Sequence, residues 1–353
     1  MAFLDNKNVA IRGIAAAVPA ITDEIRAIYN PKWGGVDEFI KATTIERLHR
    51  TDKDMTCSDL CVAAAEKLIS SLGWEKESIG ALIFVTQTPD YYFVPATCCH
   101  LQDRLGLPKS CLAFDMTLGC SGWVYGLGVI SSLLQGGSIR RAILLAGDTC
   151  SKTADPNDSG SMPLFGDAGT ATALEFTPDA GRGIQAALYT DGDGYDAIVC
   201  REGAFRTPVT AESFPGFDNG HGGLRPPFCG EMDGMAVFTF AISQAPKSIK
   251  ALLEKFEIDK DAVDILALHQ ANLMINEKII KKVKMANARY PQSMRDFGNT
   301  SSASIPLSLV TEEASALREG APLVVACGFG VGLSWGAVAF QSEHIVIPEL
   351  IEL

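Results

Sequence analysis

The second half of the chain repeats the pattern of the first, and this repeat constrains the fold more than any other feature. The apolar segment DILAL at 264–268 echoes ALIFV at 81–85, and both are predicted to be buried strands. Further along, a GNTS block at 298–301 lies 179 residues after a GCSG block at 119–122, and each is expected to begin a helix. A duplicated α/β unit is the simplest explanation of these offsets.

Alternating strands and helices predict the architecture of each half. Apolar runs such as 81–86 and 141–146 are typical of strands in a sheet that is covered on both faces. Helical patterns lie between such runs, which indicates βαβ units. We therefore predict two halves, 1–178 and 179–353, and we expect the glycine- and proline-rich segment 180–230 to be a covering segment of loops and short strands.

Composition narrows the classes of function. Hydrophobic residues make up 47% of the 353 residues, so the chain can bury a sizeable core. The net charge of −12 disfavours general nucleic-acid binding, which needs a basic surface. The ten cysteines follow no apolar leader and lack paired C-x2-C spacing, so we expect reduced thiols in a cytoplasmic protein and no bound metal. The uncharged run 116–139 contains six glycines, which favours a buried helix over a membrane span.

Cys120 is the first candidate for chemistry, because it lies where a predicted strand at 111–116 gives way to a helix. The positive end of a helix dipole lowers the pKa of a thiol from about 8.5 and favours the thiolate. We therefore expect Cys120 to be a nucleophile. The alternative is that it is one of the many cysteines that act as small buried hydrophobic residues.

His269 and Asn299 are the residues that the repeat places near Cys120. His269 follows the predicted strand 265–268, and sites in open α/β sheets form at the carboxyl ends of strands. Asn299 holds the position in the second half that corresponds to Cys120 in the first. For His269 alone a structural role is as plausible as a functional one, but the three residues together favour one catalytic cleft.

Four blocks, in the order LGCSGWVYGL, ALHQANLMI, FGNTSSASIP and GFGVGLSWG, resemble the thiolase-fold condensing enzymes, and among these β-ketoacyl-acyl carrier protein synthase III most. The similarity runs over essentially the whole chain. A thiolase itself is disfavoured, because thiolases use a second catalytic cysteine where this chain has glycines. The resemblance implies a thiolase-like α/β fold, in which two duplicated βαβαβ halves form five layers, α-β-α-β-α.

The resemblance also implies roles for the candidate residues. Cys120 would be acylated, while His269 and Asn299 would hydrogen-bond the carbonyl of a malonyl thioester and stabilise the enolate formed when it loses carbon dioxide. The backbone N–H of Cys120 and one near Val331 would hold the acyl-enzyme oxyanion. Phe329 would lie beside the nucleophile, with an ordinary core position as the alternative. The substrates would be coenzyme A or acyl carrier protein thioesters, with no further cofactor.

Several positions depart from the family pattern. Two arginines, a lysine and a tryptophan that bring coenzyme A or a carrier to the site are replaced here by Met274, Ser159, Thr239 and Phe39. Recognition of a phosphopantetheine carrier is therefore expected to be weaker, which argues against the usual acetyl-coenzyme A primer. Four lysines remain as a docking surface for an acidic carrier protein, with a solvated helix face as the alternative: Lys278, Lys281, Lys282 and Lys284.

Val94 occupies the place at which the family sends a residue across a dimer interface to close the acyl pocket of the other subunit. It is smaller than the phenylalanine of acetyl-specific enzymes, so we expect a homodimer that takes a primer longer than acetyl. The intact set of Cys120, His269 and Asn299 favours decarboxylative condensation to a 3-oxoacyl product, in fatty acid or specialised polyketide-type synthesis. Two alternatives stay open: acyl transfer from Cys120 to an oxygen or nitrogen acceptor, and a noncatalytic subunit of a condensing complex.

Overall fold

Two β-sheets organise the structure, a computed structural model that describes residues 2–178, 180–218, 224–341 and 343–353. The first sheet has six strands, in the order Ile351–Glu352, Val9–Val18, Ala168–Phe176, Arg141–Asp148, Ile79–Val85 and Leu112–Met116. The second has five, in the order Ala2–Asn6, Ile184–Thr190, Ser334–Gln341, Leu323–Gly330 and Ile265–Leu268. Short strands outside these sheets pair as Thr22–Glu24 with Arg47–His49, Ile198–Val199 with Glu231–Met232, and Phe217–Asp218 with Leu224–Arg225.

Four consecutive strands of each sheet have the same order and the same directions, which confirms the duplicated fold. In the first sheet, the parallel pair Ile79–Val85 and Arg141–Asp148 is followed by two antiparallel neighbours. The second sheet repeats this arrangement, starting from the parallel pair Ile265–Leu268 and Leu323–Gly330. The strands predicted from the two similar apolar segments therefore occupy equivalent places.

Helices form three layers around the two sheets, so the architecture has the five layers that the resemblance implies. Helices Gly122–Leu134 and Ser304–Glu312 lie between the sheets and share one apolar core with the inner faces of both. Two helices cover the outer face of each sheet: Cys57–Leu72 and Thr97–Arg104 on the first, Gly234–Lys255 and Leu273–Val283 on the second. The other α-helices are short: Ile25–Ile28, Val36–Thr43, Met294–Phe297 and Ala314–Glu319.

The uncharged, glycine-rich run forms the central helix Gly122–Leu134, as predicted. Its glycines allow close packing, since a Cβ added at Gly126 would lie 2.7 Å from the Cδ1 of Leu144. Trp123 is buried in the same layer and donates its indole N–H to the hydroxyl of Thr172 at 3.0 Å. Within the described ranges, no helix is both long enough and apolar enough to cross a membrane.

The expectation that 180–230 forms only loops and short strands is wrong at its beginning. Ile184–Thr190 is a seven-residue strand inside the second sheet, paired with Ala2–Asn6 on one side and Ser334–Gln341 on the other. Two alanines weaken its local strand signal, and pairing with strands on both sides stabilises it. From residue 191 onwards the described part of the segment does consist of loops, 3-10 turns and two-residue strands.

Each end of the chain joins the sheet of the opposite half. Ala2–Asn6 is the edge strand of the second sheet, and Ile351–Glu352 is the edge strand of the first. The predicted halves, 1–178 and 179–353, are therefore tied together at both ends of the chain.

Candidate active site

The structure brings the three predicted catalytic residues together in the wall of one cavity. Its volume is about 550 Å³, and it is lined by Cys120 from the first half and by His269 and Asn299 from the second. His269 directly follows the strand Ile265–Leu268, and Cys120 comes shortly after Leu112–Met116. The cavity therefore forms where the carboxyl ends of strands from both halves meet.

Cys120 lies two residues before the central helix and packs against the strand Leu323–Gly330 of the second half. A Cβ added at Gly330 would lie 2.6 Å from the Cβ and 2.9 Å from the Sγ of Cys120. Gly328 is also crowded, since an added Cβ there would lie 2.9 Å from the carbonyl oxygen of Cys120. The glycines of the GFG sequence are therefore required where this strand meets the nucleophile.

The pKa of the Cys120 thiol is raised, which corrects the prediction based on the helix dipole. Burial is the largest cause and the charge of Asp148 the next, and the pKa of Cys120 rises to about 11. The Ser301 hydroxyl and the backbone N–H groups of Val331 and Cys120 act in the opposite direction. Cys120 precedes the first turn of the helix Gly122–Leu134, and burial outweighs the dipole there. A thiol with this pKa is protonated at neutral pH.

Val331 and Phe329 both lie in the cavity wall with the nucleophile, and their roles in catalysis stay predictions. The backbone N–H groups of Val331 and Cys120 both lie close enough to the sulfur to lower its pKa. Val331 therefore contributes its main chain, and its valine side chain leaves that N–H available. Phe329 is buried in the cavity wall, and its ring meets His269 edge-on with the centroids 5.4 Å apart.

His269 is held in one orientation by its neighbours. Its backbone N–H donates to the carbonyl of Cys327 at 2.9 Å, and its Nδ1 lies 2.7 Å from the hydroxyl oxygen of Ser304. That oxygen also accepts from the backbone N–H of Gln270 at 3.4 Å. Because Nδ1 is engaged by Ser304, Nε2 is the ring nitrogen available to a substrate. Burial lowers the pKa of His269 to about 3, so the ring is neutral at pH 7.

Asn299 is positioned by a loop of the first half. Its backbone N–H donates to the carbonyl of Leu164 at 2.9 Å, and its carbonyl accepts from the N–H of Gly166 at 3.2 Å. The side-chain Oδ1 accepts from the N–H of Ser301 at 2.9 Å, which leaves the NH2 group as the donor towards the cavity. A 3-10 turn separates Asn299 from the helix Ser304–Glu312, so its predicted match to the helix start at Cys120 is only approximate.

The buried carboxylate of Asp148 lies near the nucleophile, and the sequence did not predict it as a site residue. It accepts hydrogen bonds from the Thr86 hydroxyl at 3.0 Å and the Gln87 N–H at 2.7 Å. From the second half, the N–H and hydroxyl of Ser302 donate to it at 3.2 and 2.8 Å. Burial raises the pKa of Asp148 in spite of these donors. Its position at the carboxyl end of a parallel strand is the signal that points to it in the sequence.

The predicted carrier surface lies on the second half. Its lysines are exposed on the helix Leu273–Val283 or at its end: Lys278, Lys281, Lys282 and Lys284. The beginning of the same helix reaches the cavity, because Ile275 and the capping residue Asn272 line it. A carrier bound to the lysines would therefore lie on the same helix as part of the cavity wall. Docking at this surface stays a prediction.

Val94 lies outside the cavity that the described residues of its own chain form. Its side chain is 66% exposed, next to Tyr92 and Phe93, which are 65% and 61% exposed. Such an exposed apolar group is available to a second subunit. The predicted place of Val94 in the acyl pocket of that subunit stays a prediction.

Two further side chains in the cavity wall were not predicted as site residues. Cys150 is a second thiol in the wall, and burial raises its pKa well above the ordinary value. Arg225 comes from the segment 180–230, for which the sequence predicts only covering loops and short strands. Neither lies in a sequence pattern that distinguishes it from its neighbours, so only the tertiary structure identifies them.

Comparison with known protein families gives two matches. Residues 114–192 match the family described as 3-oxoacyl-[acyl-carrier-protein] synthase III, and residues 253–342 match its C-terminal part. The β-ketoacyl-[acyl-carrier-protein] synthase III of Streptococcus agalactiae strain NEM316 is 33% identical over 312 residues, which cover 86% of this chain and 90% of that protein. The protein of the same name from Lactococcus lactis subsp. cremoris MG1363 is 32% identical over 303 residues, which cover 85% and 89%.

Solved structures share the fold over nearly the full length. The 3-oxoacyl-(acyl-carrier protein) synthase of Burkholderia xenovorans LB400 matches with a TM-score of 0.92 and 37% identity, covering 100% of this chain and 99% of that chain. The 3-oxoacyl-(acyl carrier protein) synthase III of Pseudomonas aeruginosa PAO1 matches with a TM-score of 0.83 and 28% identity, covering 96% and 99%.

Proposed function

Because the chain belongs to the β-ketoacyl-[acyl-carrier-protein] synthase III family of acyltransferases, we propose that it loads an acyl group onto Cys120 and condenses it with a malonyl-type thioester. The observation that carries this proposal is the convergence of Cys120, His269 and Asn299 on one cavity. The products are a 3-oxoacyl thioester and carbon dioxide.

In the first step, the sulfur of Cys120 attacks the carbonyl carbon of an acyl thioester. The bond from that carbon to the carrier sulfur breaks, and the proton lost from Cys120 ends on the departing carrier thiol. The backbone N–H groups of Cys120 and Val331 stabilise the oxyanion of the tetrahedral intermediate. Fixed donors of this kind act without reorganising, which is why they favour the transition state over the bound substrate.

In the second step, a malonyl thioester loses carbon dioxide and its electron pair forms an enolate. The Nε2–H of His269 and the side-chain NH2 of Asn299 donate to the enolate oxygen, where negative charge develops. The enolate carbon then attacks the carbonyl of acyl-Cys120 and forms the new carbon–carbon bond. The Cys120 thiolate leaves and takes a proton from solvent. A neutral His269 suits this step, because it stabilises the enolate without first transferring a full proton.

The partners that fit this chemistry are an acyl carrier protein and a second copy of the chain. The carrier would use the exposed lysines on the helix Leu273–Val283. The second copy would cover Leu112–Met116, the outermost strand of the first sheet, together with the exposed Tyr92, Phe93 and Val94. A valine that closes the acyl pocket of the other subunit leaves room for a primer longer than acetyl.

The cytoplasm is the compartment that fits the cysteine chemistry. All ten cysteines are free thiols, including the proposed nucleophile, and a reducing compartment keeps them so. The chemistry proposed here needs no cofactor beyond the thioester substrates.

The function is tested with a set of acyl-coenzyme A thioesters from acetyl to decanoyl. Intact mass after incubation is expected to show an acyl adduct on Cys120 from chains longer than acetyl, and Cys120→Ser should remove it. Adding a malonyl thioester should then release carbon dioxide from the acylated protein. His269→Ala should keep the adduct but slow carbon dioxide release by about 100-fold, because one donor to the enolate is lost.

Each proposal has an outcome that contradicts it. An adduct that forms without carbon dioxide release would instead support acyl transfer to an oxygen or nitrogen acceptor. The absence of an adduct from every thioester would leave a noncatalytic subunit. Loading of acetyl alone would show that the prediction from Val94 is wrong.

A further inference from the structure

Part of the cavity wall is a cluster of charged side chains that the proposed chemistry does not use. Arg225, Asp158 and Glu231 line the cavity, and Arg201 joins them through Glu231. The side chains of Arg225 and Asp158 are 11% and 8% exposed, so two opposite charges lie almost fully out of water. Burying such groups is costly unless their hydrogen bonds are satisfied.

The hydrogen bonds of the two carboxylates are formed with other donors. Asp158 accepts from the N–H of Gly160 at 3.0 Å and from the hydroxyl of Ser161 at 2.8 Å. Glu231 accepts two hydrogen bonds from the guanidinium of Arg201, at 2.8 and 3.0 Å. Both carboxylates therefore face Arg225 with their oxygens already engaged.

Arg225 is attracted by these carboxylates but is not hydrogen-bonded to them. Its terminal nitrogens lie 3.6 Å from Asp158 and 3.8 Å from Glu231, beyond hydrogen-bond distance. Its Nε is buried and has no hydrogen-bond partner among the residues that the structure describes. The guanidinium also lies over the ring of Phe217, 5.4 Å from the centroid, a cation–π contact that helps to hold it in place. Arg225 is thus a fixed donor group in the wall of the cavity with donor capacity left for a ligand.

The charges of the cluster indicate which kind of hydrogen-bond acceptor a ligand would offer to Arg225. The positive charges of Arg201 and Arg225 face the negative charges of Asp158 and Glu231, and Asp233 adds a further carboxylate to the cavity wall. A ligand carboxylate or phosphate would add a further negative charge to a buried site, at a high desolvation cost. An uncharged oxygen would complete the hydrogen bonds of Arg225 and leave the charge of the site unchanged.

The rest of the wall suits an apolar chain. Leu164, Phe165, Ile198, Val199 and Val237 line the same cavity as the charged cluster. A volume of about 550 Å³ accommodates a ligand of drug size, and an acetyl group would leave most of it empty.

We propose that Arg225 selects the acyl substrate by donating a hydrogen bond to an uncharged oxygen, a ketone or hydroxyl, carried on a medium-length acyl chain. This inference rests on the proposed function, because the chain must be delivered to Cys120 as a thioester. The amide oxygens of a pantetheine arm share the same chemistry, so the test compares acyl chains on one carrier.

The test measures the initial rate at which Cys120 is acylated, by intact mass, with six coenzyme A thioesters. They are hexanoyl, 5-oxohexanoyl and adipoyl, and octanoyl, 7-oxooctanoyl and suberoyl. We expect at least one oxo chain to load about 10-fold faster than the alkyl chain of equal length, as a hydrogen bond to a charged donor implies. The matching dicarboxylic chain should load more slowly than the oxo chain.

Substitutions of Arg225 test whether this residue causes the preference for oxo chains. Arg225→Met should reduce the ratio of oxo to alkyl rates to about 1, and Arg225→Lys should keep only part of it because the planar donor group is lost. Arg295→Met is the matched control, since it removes an exposed guanidinium paired with Glu46 and should leave the ratio unchanged. The wild-type ratios and Arg225→Lys decide the question if Arg225→Met fails to fold.

Four outcomes count against the inference. Equal loading of oxo and alkyl chains at both lengths would overturn it, and fastest loading of a dicarboxylic chain would show that the acceptor is charged. Equal slowing of all thioesters by Arg225→Met would assign Arg225 to the pantetheine arm instead. The absence of any Cys120 adduct would overturn the proposed function, and this inference with it, whereas adducts without an oxo preference overturn this inference alone.

Discussion

Cys120 shows how burial and reactivity oppose each other at a nucleophile. Burial limits the access of water to an acyl-enzyme, but it also destabilises a thiolate, and the nearby Asp148 adds to that effect. The donors that act against this, the N–H groups of Cys120 and Val331, are the same ones that would stabilise an oxyanion on the acyl group. His269 is similarly adapted, since burial keeps its ring neutral and Ser304 orients the ring through Nδ1.

The raised pKa of Cys120 predicts a steep pH dependence for its alkylation. Because the pKa is about 11, the thiolate fraction should rise about 10-fold for each pH unit between 7 and 9, and the iodoacetamide rate with it. Asp148→Asn should increase the rate at pH 8, because a negative charge next to the sulfur is removed. Mass spectrometry of the Cys120 peptide measures both effects, with Cys120→Ser as the control. A plateau below pH 8 would contradict the raised pKa.

The strand Leu323–Gly330 links the second half to the nucleophile of the first. Its glycines bring main chain against Cys120 without side chains between them, and the N–H of Val331 follows directly. The helix Ser304–Glu312 has a comparable role, because its first residue holds the ring of His269. In both elements a short stretch of backbone, rather than a catalytic side chain, determines the geometry of the site.

Gly330→Ala is expected to displace the nucleophile. The added Cβ would lie 2.6 Å from the Cβ of Cys120, so acylation should fall by about 100-fold, with a loss of about 1–3 kcal/mol in the free energy of unfolding. Gly136→Ala is the matched control, because a Cβ there has no neighbour within 4 Å. Acylation rates from intact mass and urea titrations compare the two variants. Unchanged acylation in Gly330→Ala would show that the close contact does not position Cys120.

The molecule as a whole depends on contacts between its two halves. Each end of the chain completes the sheet of the opposite half, and Asp148 binds Ser302 across the boundary between them. The cavity is built from both halves, so its residues are buried only when the halves are packed together. The pKa of His269 therefore reports on the folded state as well as on the site.

The lowered pKa of His269 predicts that the folded chain loses stability at mildly acidic pH. The pKa of its ring is about 3 in the folded chain and 6.5 as the ordinary value, so between these values the unfolded chain binds a proton that the folded chain does not. The contribution of the neutral His269 ring to the free energy of unfolding is fully present above pH 6.5 and decreases as pH falls towards 3. Urea titrations should show that the wild type loses about 2 kcal/mol more than His269→Gln between pH 7 and 5. Equal losses in both proteins would contradict a buried neutral ring.

The linear order of residues was enough to predict the duplicated α/β fold and to single out Cys120, His269 and Asn299. Apolar runs and turn residues indicate strands and helix starts locally, and residue type at the end of a strand indicates chemistry. The strand Ile184–Thr190 escaped prediction because it begins a stretch rich in glycine and proline and because its pairing partners are distant in the chain.

The tertiary structure alone decided three features of the site. They are the upward shift of the Cys120 pKa, the contact of the Ser304 hydroxyl that orients His269, and the position of Arg225 in the cavity wall. Each depends on burial or on groups that are distant in the chain. Burial and long-range electrostatics arise only when the two halves pack together, so no local pattern in the sequence encodes them.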